Sequence, residues 1–147
     1  MHIVPFTDIQ LFLQEKVPAE KLTIFLKRAM LHIASAIAAK EKAHCLITGD
    51  AVGQVASQTL HSLAAVNSAA KLPILRPLTA LDKQPIIETA KRIQTYDISI
   101  RPFEDCCTLF VAKHPENKPN TAVIERMENW LMQEGLSNLL DDALTKQ

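Results

Sequence analysis

The sequence predicts an α/β protein: a doubly wound, mostly parallel sheet with flanking helices. Three observations carry this. Two short apolar runs end in loop-forming residues, each is followed by a segment of helical periodicity, and no linker is long enough to divide the chain. Strands that alternate with helices require a parallel sheet, because a parallel pair is joined by a crossover and not by a tight turn.

The elements follow in order. Thr7 is an acceptable N-cap for a short helix over DIQLFLQEK, which carries Ile9, Leu11, Phe12 and Leu13 and is halted by Pro18. Pro18 also suits the first position of a longer helix, EKLTIFLKRAMLHIASAIAAKEKA, where Leu22, Phe25, Ala29, Ile33, Ala36 and Ile37 recur at helical spacing. AHCLITGD reads as a strand buried on both faces that runs into a loop. GQVASQTLHSLAAVNSAA then places Val55, Thr59, Leu63 and Val66 on one helical face, with Gly53 near its start. PILRPL is a second short strand, and Asp82 begins the helix DKQPIIETAKRIQ, with Pro85 in the first turn, where a missing N–H does no harm. TYDISIRPF alternates like a strand, EDCCTLFVAKHPENKPN is loop-like, and TAVIERMENWLMQEGLSNLLDDAL is helical with a break at Gly135. Trp130 reads as an apolar anchor of that last segment, which either caps the sheet or makes an interface.

Composition narrows the function classes. The chain has 147 residues, 48% hydrophobic and 22% charged, which is ordinary for one folded domain and needs no disulfide framework. Sixteen basic residues balance sixteen acidic ones, so bulk charge draws it to neither nucleic acid nor a membrane surface. No stretch approaches about 18 uninterrupted apolar residues, and HIVPFTD lacks the pattern of a signal peptide. Three cysteines cannot all pair within one chain, and adjacent Cys106 and Cys107 suit a strained or reactive pair better than a staple. The expected compartment is reducing and cytoplasmic.

Candidate chemistry concentrates in two places. Ligands of open α/β sheets bind beyond the carboxyl ends of strands, where 48-TGDAVGQ-54 offers two glycines for close backbone approach, ahead of a helix N-terminus. The same pattern also occurs as plain turn chemistry. In 103-FEDCCTLF-110 a thiolate of Cys106 or Cys107 could carry sulfur if a nearby cation lowered its pKa, although Glu104 and Asp105 oppose this and adjacent cysteines also serve as apolar fillers. His44, Cys45, Cys106, Cys107 and His114 could in principle supply metal ligands, but neither CxxC nor HxxxH spacing is present, and Cys45 reads as a buried strand residue. His2, His32 and His61 read as surface or helix-face residues. Lys27, Arg28, Lys83, Lys91, Arg92 and Arg101 are candidate phosphate contacts, or simply solvated charges. Arg76, between Leu75 and Pro77 of a buried-looking strand end, needs a partner: Asp82 or a ligand phosphate.

The ordered series VPFTDIQ, LKRAMLHIASAIA, TGDAVGQVASQTL, LPILRPLTALDKQPII, TYDISI and EDCCTLFVAKHP resembles the PP-loop domain of the tRNA 4-thiouridine synthetase family, also called the ThiI or thiamine biosynthesis sulfurtransferase family. The likeness covers residues 1 to about 119 and rests on six linked motifs.

That resemblance implies an ATP-dependent tRNA sulfurtransferase. Its members use ATP and Mg²⁺ to adenylate a uridine of tRNA, replace the activated oxygen with sulfur delivered as a persulfide by a cysteine desulfurase, and also supply sulfur for the thiamine thiazole. By position, Lys27, Gly49 and Gln58 resemble the ATP contacts: a cation for phosphate, a glycine for close approach and an amide for an adenine edge. Cys106 stands where the family has its sulfur-transfer cysteine, with Cys107 its companion; no resident metal is implied. The family's SGGxDS phosphate loop has no counterpart in this sequence, nor do its RNA-binding THUMP region and rhodanese domain. Residues 1–147 are therefore expected to be a single partial PP-loop domain, as a homo-oligomer or with a missing N-terminal segment. The alternative is a catalytically inactive fragment or assembly module of the same family.

Overall fold

A computed structural model describes residues 1–53, 58–102 and 115–147. The elements are α1 (Thr7–Lys16), α2 (Ala19–Lys40), β1 (Leu46–Ile47), α3 (Leu60–Asn67), β2 (Ile74–Leu75), α4 (Lys83–Arg92) and α5 (Tyr96–Ser99), followed by α6 (Thr121–Leu131) and α7 (Ser137–Thr145). Strands β1 and β2 pair in parallel, Leu46 opposite Ile74 and Ile47 opposite Leu75, with α3 in the crossover between them. The α/β class predicted from the alternation is the one observed.

Helix α2 is the spine. Its apolar stripe buries Leu22, Phe25, Ala29 and Ile33, and the helix packs against α1, α3, β1 and α7. At 22 residues it is long and apolar enough to cross a bilayer by composition alone, but Arg28 is buried in its middle and its apolar side is spent on the core. It ends in a Schellman turn: Lys42 takes φ 55° and the Ala43 N–H donates to the Ala38 carbonyl at 2.8 Å.

Several local readings need correction. Phe6, not Thr7, is the N-cap of α1, and it makes no side-chain cap bond. Pro18 is the N-cap of α2 rather than its first helical residue. Helix α3 begins at Leu60, because the Thr59 hydroxyl accepts from the Ser62 N–H at 3.1 Å and starts the helix there; Thr59 is thus a cap and not part of the apolar face. Residues 54–57, Val55 included, lie outside the described residues.

TYDISIRPF is not a strand where it is described. Tyr96–Ser99 forms one helical turn closed by Ser99 N–H to Thr95 carbonyl at 3.0 Å, and alternating Ile98 and Ile100 are exposed, so period-2 polarity here reflects no sheet face.

The strands are not buried on both faces. Leu46 and Ile74 pack on the helices, while Ile47 and Leu75 on the opposite face are 69% and 53% exposed. Cys45, just before β1, is half-buried and not buried. His2, His44 and His61 are exposed.

At the other end of the chain, Asn120 caps α6 by accepting from the Ala122 and Val123 N–H groups at 3.0 and 3.3 Å. The expected break occurs at Met132–Leu136, where Gly135 takes φ 125°, a conformation that suits only glycine. Leu131, Leu136 and Leu140 then join the core formed with α1 and α2, whereas Trp130 is 43% exposed and is not part of that core among the described residues.

One polar cluster is buried within this apolar framework. Arg28 donates from Nε and Nη2 to Glu128 Oε1 and Oε2 at 2.8 and 2.5 Å, a bidentate pair between α2 and α6. Its Nη1 donates to the Ala65 carbonyl, and to Ser68 Oγ at 2.7 Å, so one guanidinium also satisfies the carboxyl end of α3. His32 Nε2 lies 3.1 Å from Glu128 Oε1. Burial pushes the Glu128 carboxyl up, but its bonds to His32 and Arg28 and their charge outweigh this and hold it at about 2, against an ordinary 4.5.

Because the folded value is the lower one, Glu128 stabilises the fold above pH 4.5, and that contribution is lost as pH falls from there toward 2. Its size is about 3 kcal/mol. Glu128→Gln should flatten the acid limb of a stability-versus-pH curve measured by urea denaturation. Glu128→Ala should cost about 3 to 5 kcal/mol at neutral pH, because Arg28 is left buried without its counter-ion.

Candidate nucleotide site

The site forms where β1 runs into its loop. Thr48, Gly49 and Asp50 follow the strand directly, and the ladder continues past it as the Thr48 N–H donates to the Leu75 carbonyl at 3.1 Å. A turn at Gly53 (φ 78°) closes the loop, with its N–H donating to the Gln58 carbonyl at 3.1 Å. The side chain of Asp50 is thereby fixed at the mouth of the strand.

Asp50 collects three donors. Lys27 Nζ, from the middle of α2, lies 2.9 Å from Oδ1. Thr48 Oγ1 donates to Oδ2 at 2.9 Å, and Arg76 Nε, from the end of β2, donates to the same oxygen at 3.3 Å. Arg76 Nη2 donates in turn to Asn67 Oδ1 at 2.6 Å, at the end of α3. The partner that the sequence demanded for Arg76 is thus Asp50, not Asp82; the register of the parallel pair brings the two strand ends side by side. Burial pushes the Asp50 carboxyl up, but the bonds from Lys27 and Thr48 and the charges of Lys27 and Arg76 hold it below its ordinary value.

A cavity of about 200 Å³ opens beside this cluster, with Met30, Leu31 and Val66 as an apolar floor and Lys27, Thr48, Asp50 and Arg76 as a polar rim. It is smaller than the roughly 300 to 1,000 Å³ of pockets that enclose whole drug-sized ligands, so it accommodates one group of a larger molecule.

Of the residues singled out in the sequence, Lys27, Gly49 and Gln58 converge on this one loop: Lys27 through Asp50, Gln58 through its carbonyl on Gly53. A Cβ at Gly49 would meet nothing within 4 Å, and its backbone is outside the left-handed region, so neither packing nor turn geometry calls for glycine there. Cys106, Cys107 and His114 lie outside the described residues. Lys83, Lys91, Arg92 and Arg101 are exposed, Lys91 resting 5.0 Å over the Tyr96 ring. Asp50 is the functional candidate that residue-by-residue reading missed, although the Thr-Gly-Asp run at a strand end was the signal.

Comparison with known proteins adds the frame for this geometry. Residues 1–133 match the family model described as thiamine biosynthesis protein (ThiI). The chain belongs to the ThiI family. Among curated ThiI relatives, a probable tRNA sulfurtransferase of Lachnoclostridium phytofermentans is 54% identical over 87% of the chain and 33% of its own length. One from Acetivibrio thermocellus is 52% identical over 94% of the chain and 35% of its own length. The chain thus spans about a third of these relatives. A solved 4-thiouridine synthetase, crystallised as an RNA complex with bound ATP, superposes with a TM-score of 0.90 at 38% identity, covering 97% of this chain and 36% of that one. The ThiI fold therefore extends over nearly the whole chain.

The ion cluster has a measurable consequence. Carboxyl NMR titration should place the Asp50 midpoint below its ordinary 3.8, and Lys27→Met should raise it. Stability contributed by Asp50 is present above that ordinary value and is lost as pH falls below it.

Proposed function

We propose that the chain forms the nucleotide-holding part of an ATP-dependent tRNA sulfurtransferase that makes 4-thiouridine. The observation that carries this reading is the pair of cations, Lys27 from α2 and Arg76 from the end of β2, gathered at the loop that follows β1, in a chain that superposes on a 4-thiouridine synthetase crystallised with RNA and ATP. In this reading Lys27 contacts phosphate, Gly49 admits the nucleotide against the backbone, and the Gln58 amide reads an adenine edge. The open space over Gly49 and the half-buried cations at the strand ends fit such a ligand.

The proposed reaction has two stages. ATP with Mg²⁺ adenylates a uridine oxygen of a tRNA with release of pyrophosphate. The terminal sulfur of a persulfide, supplied by a cysteine desulfurase, then displaces AMP, and a second thiol cleaves the resulting S–S bond, leaving the sulfur on the uridine and a disulfide that an external thiol reductant resets. Cys106 is the proposed sulfur-transfer residue, with Cys107 beside it in sequence. The same sulfur relay would serve the thiamine thiazole, in the cytoplasm.

Calorimetry with ATP and Mg²⁺ tests the nucleotide part. Wild type should bind, Gln58→Ala should bind about tenfold more weakly, and Gly49→Ala should lose affinity while its melting temperature stays unchanged. No heat from the wild-type chain would favour the alternative, an assembly module without a nucleotide site. With tRNA, ATP and a persulfide donor, Cys106→Ser should abolish 4-thiouridine formation while the far-ultraviolet circular dichroism is preserved.

A further inference from the structure

We infer that Asp50 is a positioning residue that presents Lys27 and Arg76 as a matched pair of cations to a single phosphate group, and that Arg76 is the second phosphate contact of the site. This rests on the nucleotide reading and goes beyond it, since neither residue follows from the resemblance.

The two cations repel each other. Lys27 and Arg76 come from different elements, α2 and the end of β2, yet both point at one carboxylate, Lys27 on Oδ1 and Arg76 on Oδ2. Two half-buried cations so close repel strongly at reduced dielectric, and the carboxylate between them removes that cost. It also removes flexibility. Lys and Arg side chains each carry considerable rotamer entropy, which a ligand meeting them free would have to offset. Here Asp50 is itself held by Thr48, and Arg76 by Asn67, so the pair is ordered before any ligand arrives.

Enough donors remain. One Lys27 proton and Arg76 Nε and Nη2 are engaged within the cluster, leaving further Lys27 protons and Nη1 without partners among the described residues. The cavity they rim holds one group and not a whole nucleotide, and two cations at its edge select an anion. With one carboxylate against two cations, the cluster keeps a net charge of about +1, which favours a phosphate without demanding a polyanion.

Charge counting and positioning make opposite predictions for Asp50→Asn. Removing a negative charge should tighten anion binding if net charge governs the site. If positioning governs, it should weaken binding, because Lys27 and Arg76 separate. The experiment is calorimetric titration of the 147-residue chain with AMP, inorganic pyrophosphate and adenosine, at two salt concentrations. We expect Asp50→Asn and Arg76→Ala each to weaken AMP and pyrophosphate binding about tenfold and to leave adenosine unchanged, with Arg76→Lys recovering part of the loss. Should Asp50→Asn lose its fold, Thr48→Val keeps every charge but frees the carboxylate, and should weaken AMP binding several-fold. Tighter pyrophosphate binding by Asp50→Asn, or equal loss of adenosine and AMP, overturns the inference while the nucleotide reading stands. A wild-type chain that binds none of the three probes overturns both.

Discussion

The structure depends on the bidentate pair between Arg28 and Glu128. Burying a guanidinium in the middle of a long apolar helix is costly unless every donor is met, and here it is met by two helices at once: the Glu128 carboxylate on α6 and the carboxyl end of α3. Apolar contacts alone would let α2 slide or rotate against its neighbours at small cost. A planar fork with fixed partners removes that freedom.

The constraint matters for the site because Arg28 and Lys27 are consecutive. Fixing the rotation of α2 through Arg28 fixes the direction of Lys27, which reaches across to the loop after β1. Helix α6, far from the strand ends in sequence, thereby sets the geometry of a candidate phosphate contact. A second tie runs along the same helix. Lys21 pairs with Glu116 at 2.6 Å, and the Glu116 N–H donates to the Glu20 carbonyl, so the segment before α6 is fastened to the start of α2.

Much of this was legible in the sequence where periodicity is long. The 22-residue stripe of α2, both strand-to-helix units and the break at Gly135 all carry local signals that tertiary structure has no reason to override. Short elements were harder to read. TYDISI satisfies alternation over too few residues to distinguish a strand from one helical turn, and Thr59 resembles a face residue until the capping bond reveals its role. The strands seemed doubly buried because Leu46, Ile47, Ile74 and Leu75 are all apolar, and composition does not tell which face the helices cover. Lys27, Gly49 and Gln58 came from family resemblance, and the fold does bring them to one loop. Arg28 and Glu128 were hidden for another reason: a charge in a helix reads as solvated, and only long-range packing, 100 residues apart, shows it to be buried. Asp50, in the loop after β1, was hidden because its partners Lys27 and Arg76 come from other elements that only the fold brings to it.

In the proposed site, a helix locked by Arg28 and Glu128 delivers Lys27 to a phosphate-binding loop at the end of β1. Amide NMR of the isotopically labelled chain, titrated with ATP and Mg²⁺, tests it most directly. Shift changes should concentrate at Lys27, Thr48, Gly49, Asp50, Gln58 and Arg76, with the same residues unresponsive when Arg28→Met and Glu128→Leu are combined in a chain that stays folded. Changes centred elsewhere, or an undiminished response in the double variant, would contradict it.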